Sequence, residues 1–212
     1  MKTETIPGLL IEGVDYSGKT AVSTELERIM RERGYEPYRR ACFMHEHPII
    51  DGLLALAKAS QRMDERDICY TASILLDLTL PALPSPPGYL LQERHVQTQI
   101  GRNTFFYEDD ERWQVTTLRR LRRCFSTQVY LTSNLAAKRE RTRTRTPKSP
   151  RDALLAEDVL LHQRYDDYMR DTLPGGEAWL VIDTSVLSIA DVAGLILDQI
   201  ETFDECAAFA RV

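Results

Sequence analysis

Eight consecutive residues, Gly13-Val14-Asp15-Tyr16-Ser17-Gly18-Lys19-Thr20, satisfy the spacing G-x-x-x-x-G-K-[ST] at every fixed position. Glycines allow successive backbone N–H groups to converge on one anion without Cβ collisions, and a helix starting there adds unpaired amides and its positive dipole end. A loop of this kind cradles a polyphosphate. Lys19 would bridge the β and γ phosphates of ATP and the Thr20 hydroxyl would hold Mg2+, with Gly13, Asp15, Tyr16, Ser17 and Gly18 shaping the nucleotide site. The flanking pattern separates this reading from a chance glycine turn. Leu9-Leu10-Ile11 before the loop reads as a buried strand, and Val22, Leu26, Ile29 and Met30 after it form one face of a helix that Gly34 can close. No Asn-Lys-x-Asp guanine reader occurs in the chain, which weighs against a GTPase switch.

Three further groups carry chemistry. Glu93 ends the apolar run Tyr89-Leu90-Leu91, where an acid would act through Mg2+ or as a base toward an acceptor hydroxyl, the bland alternative being an exposed strand-end acid. Between Lys138 and Arg151 stand Lys138, Arg139, Arg141, Arg143, Arg145, Lys148 and Arg151, with Glu140 the one acid among them. Alone, that run would be a solvated helix face or a nucleic-acid tail; beside a phosphate loop it supplies the cations that phosphoryl transfer needs. His45-Glu46-His47-Pro48 suggests a metal pair but offers no third ligand at a usable spacing. Arg119, Arg120, Arg122 and Arg123 sit near a helix end, where cations favour the dipole, and read as structural.

The elements that must position these groups alternate. A second strand is expected over 35–43, helices over 49–59 and 63–80, a loop at Pro81 and Pro84 to Gly88, and a third strand at 89–91. Then come a helix over 108–125, a strand over 128–131, a helix capped by Asn134 and stopped by Pro147, and a strand over 179–182. A last helix, capped by Ser188, would bury Ile189, Val192, Ile196 and Ile200. This alternation predicts a three-layer α/β/α fold around a mostly parallel five-stranded sheet, in a single domain over 1–212. With 212 residues, 43 % hydrophobic and 28 % charged, the chain has the composition of an ordinary globular domain. A net charge of −5 disfavours wholesale coating of nucleic acid, and no apolar run approaches the ~20 residues of a bilayer span. Cys42, Cys69, Cys124 and Cys206 form no C-x-x-C pair, which suits free thiols in a reducing, cytoplasmic setting.

Read as E-G-V-D-Y-S-G-K-T, the segment Glu12 to Thr20 resembles the loop of the thymidylate kinase family, E-G-x-D-x-x-G-K-[ST]. Further stretches follow in the family's order: Tyr70-Thr71-Ala72-Ser73 is similar to F-x-A-N, Glu93-Arg94-His95-Val96 to D-R-Y, Ala137 to Arg143 to the start of the lid, and Val181 to Ser185 to V-I-D-A-S. The resemblance implies a phosphate-loop kinase fold with a mobile lid near 138–152. It also implies an ATP- and Mg2+-dependent transfer to a nucleoside monophosphate or close analogue, and a homodimer. It places Asp15 on the acceptor's 3′-hydroxyl, Arg94 on its phosphate, Arg139 near adenine, Arg143 over the transferring phosphoryl group, and Asp183 and Thr184 beside adenine. Tyr70 would stack on the acceptor base, although core packing explains it equally. Thr98 and Arg102 stand in the stretch where the family has S-x-x-A-Y-Q, on the acceptor side, and Ile74 replaces an arginine that reads thymine. Glu46 falls where related deoxynucleoside kinases keep an acid that activates a 5′-hydroxyl, which leaves a nucleoside or other alcohol as the alternative acceptor. A nucleotide-gated binding module without catalysis is the third possibility.

Overall fold

A computed structural model describes residues 5–80, 88–107, 113–147, 149–174 and 178–203. Strands β1 (Thr5–Glu12), β2 (Pro37–Ala41), β3 (Tyr89–Glu93), β4 (Cys124–Thr132) and β5 (Trp179–Asp183) form one sheet in the order β2-β3-β1-β4-β5, every neighbouring pair parallel. Helices α1 (Lys19–Glu32), α2 (Pro48–Ala59), α3 (Met63–Thr79), α4 (Val96–Tyr107), α5 (Trp113–Leu121), α6 (Leu135–Thr144), α7 (Pro150–Glu157), α8 (Val159–Asp171) and α9 (Ile189–Phe203) surround it.

The side-chain period of β1 divides the core in two. Leu9 and Ile11 pack with Val22, Leu26 and Met30 of α1 and with Val192, Ile196 and Ile200 of α9. Leu10, between them, points to the opposite layer with Ile74, Leu78, Ile100, Val115 and Leu118. A strand covered on both faces must be apolar throughout, which is why this one lacks alternation in the sequence. Each such side chain contributes roughly 1.5–3 kcal/mol by leaving water. A smaller cluster of Val14, Tyr130, Leu155, Tyr165 and Met169 packs against the loop segment.

Several boundaries differ from expectation. Phe125 lies in β4 rather than in a helix, and α5 covers only Trp113–Leu121 of the expected 108–125 stretch; residues 108–112 and the expected loop over 81–87 lie outside the described residues. α4 escaped the periodicity because most of its buried residues are polar: Gln97, Thr98, Gln99, Asn103 and Thr104 are buried beside Val96 and Ile100. Gln97 donates to the Thr172 carbonyl at 3.3 Å and Gln99 to that of Asp67 at 3.3 Å, while Thr98 bonds the Glu12 carboxylate. The second strand is shorter than expected because Cys42 turns out of it at φ 68°. Asn134 and Ser188 cap their helices as anticipated, through bonds from Ala137 N–H at 2.9 Å and Asp191 N–H at 3.1 Å. Ile189 is exposed rather than buried.

Because all the strands are parallel, their carboxyl ends share one edge: Ile11 stands opposite Glu93, Ala41 opposite Glu93, and Thr132 opposite Asp183. The chain leaves β1 toward β2 and leaves β3 toward β4, so the connections diverge and open a crevice above those two strands. Among the described residues no helix is long and apolar enough to cross a membrane.

Candidate active site

A cavity of about 1060 Å3 occupies this crevice, and the loop from Asp15 to Thr20 forms its floor. Gly13, at φ 143°, closes the loop against β4: a Cβ there would stand 2.4 Å from the Leu131 carbonyl oxygen and 2.8 Å from Ser17 Oγ. Gly18 opens α1 at φ 95° without a side-chain cap, so the first-turn amides are left for an anion. Lys19 is buried, and its Nζ donates to the Val14 carbonyl at 2.5 Å and to Ser17 Oγ at 3.1 Å. Burial, then the nearby charge of Arg94, pulls its pKa down to about 7.

The acid of β3 faces the loop. Glu93 Oε2 accepts from Thr20 Oγ1 at 2.9 Å, its other oxygen accepts from Ser23, and Arg39 stands 3.7 Å away. Next to it Arg94 pairs with Asp15, and Arg102 approaches the other oxygen of that carboxylate at 4.0 Å. Burial pushes the Asp15 carboxyl up, but Arg94, Arg102 and Lys19 outweigh it and hold the group well below the usual range. Tyr70 joins this side, with the Arg102 guanidinium 5.9 Å from its ring centroid. Among the described residues, the non-glycine residues at positive φ are Tyr16, Cys42 and Arg94, and all three line the cavity. Such strain, on the order of 1–3 kcal/mol each, is typical of sites whose surroundings overdetermine the backbone.

Helical phase decides which cations of the basic run arrive. Lys138 is wholly buried on α6, so residues near i+3 and i+7 share its inward face. Arg141 donates to the Tyr16 carbonyl at 3.0 Å, to Thr184 Oγ1 at 3.0 Å and to the Thr184 carbonyl at 2.7 Å, while Arg145 lies 5.0 Å over the Tyr16 ring. Arg139 and Arg143 point to solvent, the latter 76 % exposed and 3.9 Å from Glu140. The structure brings Arg141 and Arg145 to the cavity in place of the expected Arg139 and Arg143, two residues or about half a turn around the helix. The Asn134 cap and the 3.6-residue period could have supplied that phase, had Lys138 been taken as the buried position.

Other expected residues also lie elsewhere. Thr98 is buried under the loop, bonded to Glu12 through both its amide and its hydroxyl. Asp183 binds its own neighbour Ser185, leaving Thr184, the residue after β5, to reach the cavity. Glu46 pairs with Arg40 beside a separate cleft. His45 Nδ1 meets Asp77 at 2.8 Å, and His47 accepts from the Ile49 amide at 3.2 Å, so each imidazole has a structural partner. Two residues take roles that no motif assigned: His162 Nε2 bonds the Asp15 carbonyl at 2.8 Å, and Arg151, the last cation of the basic run, clamps Asp67. Their partners are far off in sequence, so no local pattern announces them.

The residues present suit ATP and Mg2+. Gly18 has nothing within 4 Å of a would-be Cβ, leaving space at the head of α1, and Lys19 has no carboxylate within ion-pair distance among the described residues. Thr20 and Glu93 offer the hard oxygen donors that Mg2+ prefers.

The sheet order and the glycine loop following β1 define the phosphate-loop kinase-like fold. A solved structure of thymidylate kinase from Candida albicans, reported to reveal the origin of its broad substrate specificity and a novel structural element, is similar over 93 % of this chain and 92 % of its own, with a TM-score of 0.63 and 16 % identity. At that identity the likeness establishes the fold alone. The sequence matches no protein-family model and no curated protein.

Proposed function

We propose that the chain is a single-domain ATP-dependent phosphotransferase that transfers the γ-phosphoryl group to a nucleoside monophosphate or close analogue. One observation carries this reading: guanidinium groups flank the loop on two sides of one cavity, Arg141 toward Thr184 and Arg94 with Arg102 toward Tyr70. A reaction that joins two anionic molecules needs positive charge on both sides of the transferred group. The base of ATP would lie by Thr184, Leu187 and Ile189, its triphosphate on Ser17, Gly18 and Lys19, and the acceptor between Arg94, Arg102 and Tyr70. An acceptor phosphate oxygen forms a bond to the γ-phosphorus while the bond to the ADP oxygen breaks, the electron pair leaving with ADP. That oxygen is already deprotonated at neutral pH, so no base is required. Mg2+ bound by Thr20 and Glu93 would neutralise charge on the phosphates. Lys19, Arg94 and the lid cations Arg141 and Arg145 meet the negative charge that spreads over the moving group, the role first expected of Arg143.

The position of Glu46, 80 % exposed and outside the cavity, supports a phosphorylated acceptor over an alcohol. An ADP-release assay across nucleoside monophosphates and free nucleosides tests the reading. Turnover confined to unphosphorylated acceptors favours the alcohol-kinase alternative, and tight ATP binding without any transfer favours a binding module. A cytoplasmic homodimer belongs to the same proposal. The exposed Ile49, Leu56 and Ile68 of α2 and α3 offer a second copy an apolar surface, and sedimentation measures it.

A further inference from the structure

The acceptor side of the cavity is more cationic than a neutral base requires. α3 presents Met63, Arg66 and Tyr70 on one face, positions one and two turns apart, and Lys58 joins them from the last turn of α2. Arg102 connects this group to the loop, with its guanidinium 4.0 Å from Asp15 and 5.9 Å from the Tyr70 ring centroid. Moving outward from the loop, the cavity therefore offers Asp15, Arg102, Tyr70 and then Arg66.

The carboxylates on the cavity wall or beside the outer pair face other cations, Glu25 meeting Arg28 at 2.7 Å and Asp152 meeting Arg145 at 3.9 Å. Asp15 holds Arg94. Asp67, adjacent to Arg66, takes both arms of Arg151 at 3.1 and 2.5 Å. Asp64 and Glu65 face Arg62 at 2.7 and 3.4 Å. Among the described residues Arg66 has the Ser60 carbonyl at 3.2 Å and no carboxylate, and Lys58 has none either. Among the described residues no Asn or Gln side chain lines the cavity to read a neutral base edge. Unpaired cations around an aromatic face are matched by a flat anion, and a guanidinium fork fits a carboxylate in particular.

We infer that the acceptor is a planar compound bearing a carboxylate on its ring, at the end remote from the phosphate that takes the phosphoryl group, and that Arg66 and Lys58 select it. This deepens the phosphotransferase reading and rests on it. The ring stacks on Tyr70, Arg102 lies along its side, and the carboxylate reaches the outer cations.

The test uses a matched pair, 5-carboxy-2′-deoxyuridine monophosphate and thymidine monophosphate, which differ by a carboxylate in place of a methyl group. Affinity is measured by calorimetry on the full chain with Mg2+ and a non-hydrolysable ATP analogue, and turnover is measured separately. The acid should bind about tenfold tighter or better, a difference worth about 1.4 kcal/mol. The Arg66→Gln, Lys58→Gln double variant should bring the ratio to about one, with Arg66→Lys retaining part of it. A wild-type ratio near one, a preference for the methyl compound, a preference that survives the double variant, or binding of neither compound overturns the inference, whichever is phosphorylated. Selective, Arg66-dependent binding with no transfer would instead uphold the recognition and sink the phosphotransferase reading.

Discussion

Thr20 and Glu93, separated by 73 positions, share a 2.9 Å hydrogen bond from Oγ1 to Oε2. The bond joins the first residue pair of α1 to the end of β3 and brings together the two oxygens suited to a divalent cation. Glu93→Gln keeps a partner for Thr20 and removes the charge. Turnover should fall at least about 100-fold, and the Mg2+ concentration for half-saturation should rise. Activity titrated against Mg2+ reads both, and an unchanged Mg2+ dependence would dismiss Glu93 as part of the cation's site.

Lys19→Ala should abolish transfer while circular dichroism stays native, since a lost transition-state cation costs on the order of 3 kcal/mol or more. Near-normal ADP release would remove Lys19 from its assigned role.

The depressed pKa of Lys19, about 7, makes nucleotide binding depend on pH. A triphosphate stabilises the ammonium form and raises that pKa, so the complex holds more protons than the free protein above pH about 7. Binding should therefore take up close to one proton near pH about 8, little from this group near pH about 6, and weaken as pH rises. Calorimetry in buffers of different ionisation enthalpy measures the uptake, and Lys19→Met should eliminate it.

Arg141 bridges Tyr16 and Thr184, whereas Arg143 faces solvent two positions along the same helix. Arg141→Ala should weaken ATP binding by about tenfold or more, as expected for loss of charged hydrogen bonds at 1.5–3 kcal/mol. Arg143→Ala should do far less. Equal losses in nucleotide titrations would contradict the helical phase.

Lys138 and Asp166 form an ion pair at 2.6 Å with neither side chain exposed, and Asp166 also accepts from Tyr130 and Thr132, each at 2.7 Å. Lys138→Met should cost about 3–5 kcal/mol in urea unfolding, because it strands a buried carboxylate. Adding Asp166→Asn should recover part of that loss.

Local pattern was enough for the loop, the first strand and its helix, and the caps at Asn134 and Ser188, because each is fixed by residues within about four positions. It failed for α4, where Gln97, Thr98, Gln99 and Asn103 outnumber the apolar Val96 and Ile100 on the buried face and blur the stripe. It does not rank the cations of α6 either: Arg139 and Arg143, to which the family resemblance pointed, face solvent while Arg141 reaches the cavity.

The amino-acid order by itself determined an anion-binding loop between a strand and a helix, an alternation that points to a mostly parallel sheet, and a reserve of cations downstream. Which cations enter the cavity, which acids remain free, and whether Thr98 or Glu46 faces the acceptor were decided by tertiary packing. The physical reason is distance along the chain: Glu93 meets Thr20, Arg141 meets Thr184 and Arg151 meets Asp67 only because sheet order and helix rotation bring them there, and neither quantity is written in any local run of residues.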